Sequence, residues 1–191
     1  AGADVAIGGL CEKEITESVT VVESHGRKAL AISADITLMT DVNRMIEKTV
    51  LTFGGLDILI NNARVEFGKS FDRVTESEWN SVIDFNLKSM FLCSQVAGKQ
   101  MLKQGGGRIV NITSGLAIRG LSNSVVYSAT QGAVRQLTAS LALEWARNNI
   151  RVNAIGAGWI TVNPELTEEV DESLARFLPS RSIGHPSDLG G

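Results

Sequence analysis

Cysteine is scarce. Cys11 and Cys93 are the only two in 191 residues, far apart and without a CxxC pair or a histidine cluster nearby. That pattern offers no thiolate metal site and no dithiol redox centre, so no metal is expected and both thiols read as core residues. An excess of one charge is also missing. Lys and Arg number 18 against 21 Asp and Glu, a net charge of -3, with no block of like charge, so nothing marks a nucleic-acid or anionic-membrane partner. No apolar run approaches the roughly 18 residues of a membrane span. The opening AGADVAIGGL has no basic leader region, and no repeat or low-complexity linker interrupts the chain. What remains is the expectation of a cytoplasmic globular protein, 43% hydrophobic and 20% charged, of a length that suits one domain.

Against these absences stands a regular alternation. Apolar runs of strand length recur at Val5-Ala6-Ile7, Ala29-Leu30-Ala31-Ile32, Ile58-Leu59-Ile60, Ile109-Val110-Asn111-Ile112 and Val152-Asn153-Ala154-Ile155. Their continuity predicts strands buried on both faces. Between them lie helical stripes such as Val42, Met45, Ile46, Thr49, Val50 and Phe53. Thr75 and Glu78 have capping-box spacing and open a predicted helix over about 77–103, which Gly105-Gly106-Gly107 stops. A second long helix is predicted over about 124–147. Alternating β and α elements imply a doubly wound α/β fold around a parallel sheet. In such folds ligands bind beyond the carboxyl ends of the strands. Those positions carry Asp35, Asn61-Asn62-Ala63, Thr113-Ser114 and Gly156-Ala157-Gly158, a concentration of small and polar residues.

Asn61-Asn62-Ala63, Asn86 within DFNLKSMF, Ser114 at the end of GRIVNITS, Tyr127 within YSATQ and the segment NAIGAGWI resemble, in order and spacing, the short-chain dehydrogenase/reductase family. The form is that of bacterial sugar or sugar-acid dehydrogenases. Ser114 lies 13 residues before Tyr127 and Asn86 lies 41 before it. The resemblance implies a Rossmann-like fold and hydride transfer between NAD or NADP and a small alcohol or carbonyl compound. It implies Tyr127 as general acid/base, Ser114 as hydrogen-bond partner of the substrate oxygen and Asn86 as part of a proton relay. Gln131 stands at the family's catalytic lysine. Asp35, Ile36, Asn62, Ala63, Tyr127, Gly158 and Ile160 would contact the cofactor. The position that usually selects NAD or NADP holds Gly9-Leu10, neither acidic nor basic, so the preference is open. A homo-oligomer, dimer or tetramer, is implied through the Tyr127 helix and the helix carrying Phe91.

The departures gather at the cofactor pocket. A free tyrosine has a pKa of about 10 and needs a nearby cation to act as a base at neutral pH. A unit charge about 4 Å away is worth roughly 4 kcal/mol at an effective dielectric of about 20, and Gln131 carries none. Turnover should therefore be impaired, and Gln131→Lys should raise it. Arg64 replaces a glycine where the backbone passes close to the cofactor, so its side chain must turn away or intrude. Ala157 replaces a proline, and Val162 a threonine. Asp35 before Thr37 also has the form of a turn cap. Arg119, His25 and His185 read as surface residues. The family's first strand with its glycine-rich turn, and its last strand, have no counterpart here, so residues 1–191 read as one incomplete dinucleotide-binding domain. A gap in the sheet is expected where the first strand would lie. A non-catalytic member that binds a partner or subunit is the alternative.

Overall fold

A computed structural model describes residues 2–161, 178 and 181–189. In chain order it comprises β1 (Val5–Gly9), α1 (Glu12–Ser24), β2 (Ala29–Ser33), α2 (Met39–Phe53), β3 (Ile58–Asn61), α3 (Glu76–Ile83), α4 (Ser89–Gln104), β4 (Gly107–Ser114), α5 (Val125–Trp145) and β5 (Ile150–Ala157). Each strand falls on one of the apolar runs. Every pairing is parallel, β1 with β2 and, separately, β3 with β4 and β4 with β5. Parallel pairing follows from the helix in each crossover. The strands form two sheets rather than one, β1 with β2 and β3 with β4 and β5.

Helices lie on both faces of the first sheet. A Cβ at Gly8 would sit 2.2 Å from the Met45 sulfur of α2, whereas one at Gly9 would reach the Ile15 side chain of α1 at 4.0 Å. Adjacent strand residues point to opposite faces, so α1 and α2 flank the sheet as a doubly wound fold requires. The second sheet is covered differently. Leu59, Ile109, Ile150 and Val152 pack against Val42 and Ile46 of α2 and Leu92, Val96, Ala97 and Met101 of α4. On the opposite face Ile58 and Ile60 are 50% and 60% exposed. The expectation of two-faced burial is therefore corrected here: no described helix covers that side. The two core thiols are corrected as well. Cys93 is buried, and burial pushes its thiol up to about 11. Cys11 is exposed because it occupies the turn that opens α1.

The capping box of Thr75 and Glu78 forms in both directions, and Gly105, at φ 88°, closes α4 in the left-handed conformation that glycine adopts without penalty. The predicted helix over 77–103 runs as one helical path. Asp84–Lys88, however, widens into a π-helical turn between α3 and α4, a rare insertion that re-aims side chains. Asn86 lies in it. A buried polar chain ties the layers together: Asn61 Nδ2 donates to Ser94 Oγ at 3.1 Å and to Asn111 Oδ1 at 2.8 Å, and Asn111 Nδ2 donates to Thr138 Oγ1 at 2.9 Å. These bonds link β3, β4, α4 and α5 just below the strand ends. Among the described residues no helix is long and apolar enough to cross a membrane.

Candidate active site

Parallel strands deliver their carboxyl ends to one side. Ser114 and Ala157 end β4 and β5; Asp35 and Ile36 lie just beyond β2, Asn62 and Ala63 beyond β3, and Gly158 and Ile160 beyond β5. Beyond β4 and β5 a cavity of about 400 Å³ opens, with Arg64, Ser114, Tyr127, Gly158, Trp159 and Ile160 in its lining, whereas Asp35, Ile36, Asn62 and Ala63 do not line it. Tyr127 sits in the first turn of α5 with its side chain buried. Its phenol and Ser114 line the same cavity, and the Ser114 hydroxyl acts to lower the phenol pKa. Ser114 Oγ also accepts from Leu116 N–H at 3.2 Å, which fixes the turn after β4. The structure thus brings together Ser114 and Tyr127 as the spacing of 13 implies.

Asn86 has a different place. It is fully buried, its Oδ1 accepts from Val65 N–H at 2.8 Å, and its Nδ2 donates to Val65 C=O at 2.8 Å. The side chain clamps the loop after β3 rather than touching the phenol. Gln131 is also fully buried. Its Oε1 accepts from Thr113 Oγ1 at 3.0 Å, its Nε2 donates to Thr130 Oγ1 at 3.3 Å, and Thr130 Oγ1 donates to Tyr127 C=O at 2.7 Å. These bonds build a neutral polar plug behind the tyrosine.

Arg64 intrudes. It lines the cavity beside Tyr127, and its charge favours the phenolate form. Burial pushes the phenol above its ordinary value; the Arg64 charge and the Ser114 hydroxyl pull it down, and the Glu66 charge pushes it up, for a net rise. The protonated phenol is thus the resting form at neutral pH. Sequence reasoning noted Arg64 only as an obstruction. The signal that could have assigned it was the pair of changes read together, a cation missing at Gln131 and a cation present at Arg64.

Whether a dinucleotide suits these residues can be tested on the strand ends. Asp35 Oδ1 takes both the N–H and the hydroxyl of Thr37, at 2.9 and 2.7 Å, and these bonds hold the carboxyl below its usual range. Asp35 therefore caps its turn, as its sequence allowed, while neither bond uses Oδ2, which is the oxygen an adenine amino group would need. A Cβ at Gly115 or Gly158 would meet nothing within 4 Å, so backbone there borders open space. The residues present fit a dinucleotide along this edge. Gly8 does not belong to the cradle, because Met45 fills the space that its missing side chain leaves. Arg119, His25 and His185 are exposed, and Val162 lies outside the described residues.

Residues 1–174 match the family described as short chain dehydrogenase. The chain is 38% identical over 197 residues to a 2-dehydro-3-deoxy-D-gluconate 5-dehydrogenase of Dickeya dadantii, covering 100% of this chain and 77% of that one. It is 36% identical over 191 residues to a 3-oxoacyl-(acyl-carrier-protein) reductase of Staphylococcus aureus, covering 98% and 78%. Among solved structures it superposes, with a TM-score of 0.87 and 26% identity, on a gluconate 5-dehydrogenase from Burkholderia cenocepacia in complex with NADP and tartrate, covering 96% of this chain and 74% of that one.

Proposed function

Because this chain belongs to the short-chain dehydrogenase family, we propose that it is an oxidoreductase using NAD or NADP to interconvert a small carbonyl compound, of the sugar-acid class, and its alcohol. The observation that carries this reading is the meeting of Ser114 and Tyr127 in the wall of one cavity. The substrate class is supported by the sugar-acid dehydrogenases among its relatives. The dinucleotide, when bound, supplies or accepts the hydride. Asp35 and Ile36 would hold its adenosine end, Asn62 and Ala63 its middle, and Gly158, Ile160 and Tyr127 its nicotinamide end.

The chain's own residues manage the oxygen and its proton. Ser114 orients the substrate oxygen, and Tyr127 gives it a proton during reduction or takes one during oxidation. Because burial keeps the phenol protonated at neutral pH, reduction finds its acid ready, while oxidation waits for the phenolate and should accelerate as pH rises. Exposed apolar side chains on α4 and α5, Phe91 at 44% and Leu143 at 82%, support a homo-oligomer. One observation favours the non-catalytic alternative: the neutral, fully bonded Gln131 where the family resemblance places a lysine.

The deciding experiment is to titrate the protein with NAD and NADP and then assay reduction of keto sugar acids, with Tyr127→Phe as the control. Turnover that falls by about 10²–10⁴-fold in Tyr127→Phe is expected. Cofactor binding without turnover on any carbonyl substrate would instead establish the alternative.

A further inference from the structure

Arg64 is placed by more than its own loop. Its neighbour Val65 is gripped at both backbone groups by the buried Asn86. Farther along, Lys69 N–H donates to Asn123 C=O at 2.6 Å, and Lys69 Nζ reaches Glu78 Oε1 at 2.7 Å. The segment is thus pinned on both sides of Glu66, and a side chain on pinned backbone has less freedom left to lose on meeting a partner. Arg64 is half-buried, so its charge keeps contact with water while it lines the cavity beside the phenol. Behind Tyr127 the geometry is the reverse. Both ends of the Gln131 amide are engaged by threonines in a fully buried site, where an ion would be costly to desolvate.

We propose that Arg64 is the cationic partner of the Tyr127 phenol in this active site, a role for which the buried Gln131 has no charge. The inference rests on the reading of Tyr127 as the acid/base. As the phenol releases its proton, the guanidinium faces the developing phenolate across the cavity that both side chains line. Its planar fork of five N–H donors leaves others free for the cavity. Among the described residues the charged groups acting on the phenol are Arg64 and Glu66, with opposite effects, and the Ser114 hydroxyl lowers its pKa further. Substitutions at positions 64 and 66 should therefore shift the phenol in opposite directions.

Tyr127 is the chain's single tyrosine, so tyrosinate absorbance in a pH titration reports this phenol alone. Fluorotyrosine, which ionises at lower pH than tyrosine, can be incorporated and followed by fluorine NMR, keeping the titration within the range where the protein is folded. Arg64→Gln should raise the midpoint by about one pH unit or more, Arg64→Lys should restore most of it, and Glu66→Gln should lower it. Tryptophan fluorescence monitors folding throughout. If Arg64→Gln does not fold, the Glu66→Gln shift carries the test. An unmoved midpoint in folded Arg64→Gln, or in Glu66→Gln where only that variant folds, overturns the proposal. The titration needs neither cofactor nor substrate. An unmoved midpoint in an enzyme that turns over removes only the role of Arg64; the expected shift in a protein without turnover removes the acid/base reading.

Discussion

Tyr127 has two unlike sides. Toward α5 and β4 it is backed by Thr130, Gln131 and Thr113, all buried and neutral, joined by hydrogen bonds of 2.7 to 3.3 Å. Toward the cavity it faces Arg64 and Glu66, both charged, on a loop held by Asn86. The difference teaches a division of labour. The helix side fixes where the phenol is, and a charge there would have to be stripped of water. The loop side sets how readily the phenol ionises, and its charges stay partly hydrated, so they can be exchanged without undoing the core.

The comparison breaks most severely if the phenol itself is removed. Tyr127→Phe should lower kcat for carbonyl reduction by about 10²–10⁴-fold while the thermal midpoint changes little, since only the hydroxyl is lost; steady-state kinetics beside a melting curve check both. Next in size is the clamp. Asn86→Ala leaves Val65 N–H and C=O without their partner, which should cost about 1–3 kcal/mol in urea unfolding and also reduce kcat, because the loop carrying Arg64 is released. The neutral side is sharpened by Gln131→Met, which keeps volume but deprives Thr113 of an acceptor. A loss of about 1 kcal/mol is expected, with a smaller shift of the Tyr127 midpoint than Arg64→Gln gives.

The smallest effect is at the loop's far anchor. Lys69, with the Thr75 backbone and side-chain bonds, holds the Glu78 carboxyl at about 2, below its ordinary 4.5. A depressed carboxyl stabilises the fold fully above 4.5, and that contribution is lost as pH falls from there through about 2. The stability difference between the protein and Glu78→Gln should therefore shrink over that window, as urea titrations at successive pH values would show. A difference that stays constant with pH would place the Glu78 contribution elsewhere than in its charge.

The strands and the long helices were legible because their signals are local: apolar runs of strand length, a capping box at Thr75, a glycine stop at Gly105. The Ser114–Tyr127 pairing was legible too, through a spacing that places one at a strand end and the other at a helix start. The one-sided cover of β3 among the described residues was not, because Ile58 and Ile60 look alike whether a helix lies over them or not. Nor was the π-helical turn at Asp84–Lys88, which no residue type announces. The largest gap concerns Gln131 and Arg64. The sequence shows a cation missing at one and present at the other, but their separation of 67 residues hides that both border one tyrosine, which only the fold shows.

The most direct test of that exchange is to move the charge from one side of Tyr127 to the other. In Arg64→Gly with Gln131→Lys, the ionisation midpoint of Tyr127, read by tyrosinate absorbance, should return toward that of the unaltered protein, whereas Arg64→Gly alone should raise it. Gln131→Lys alone should change it less than the same substitution does in the Arg64→Gly background, because a cation already faces the phenol. If Gln131→Lys lowers the midpoint equally with and without Arg64, or Arg64→Gly leaves it in place, Arg64 is not the cation of this site and the account fails.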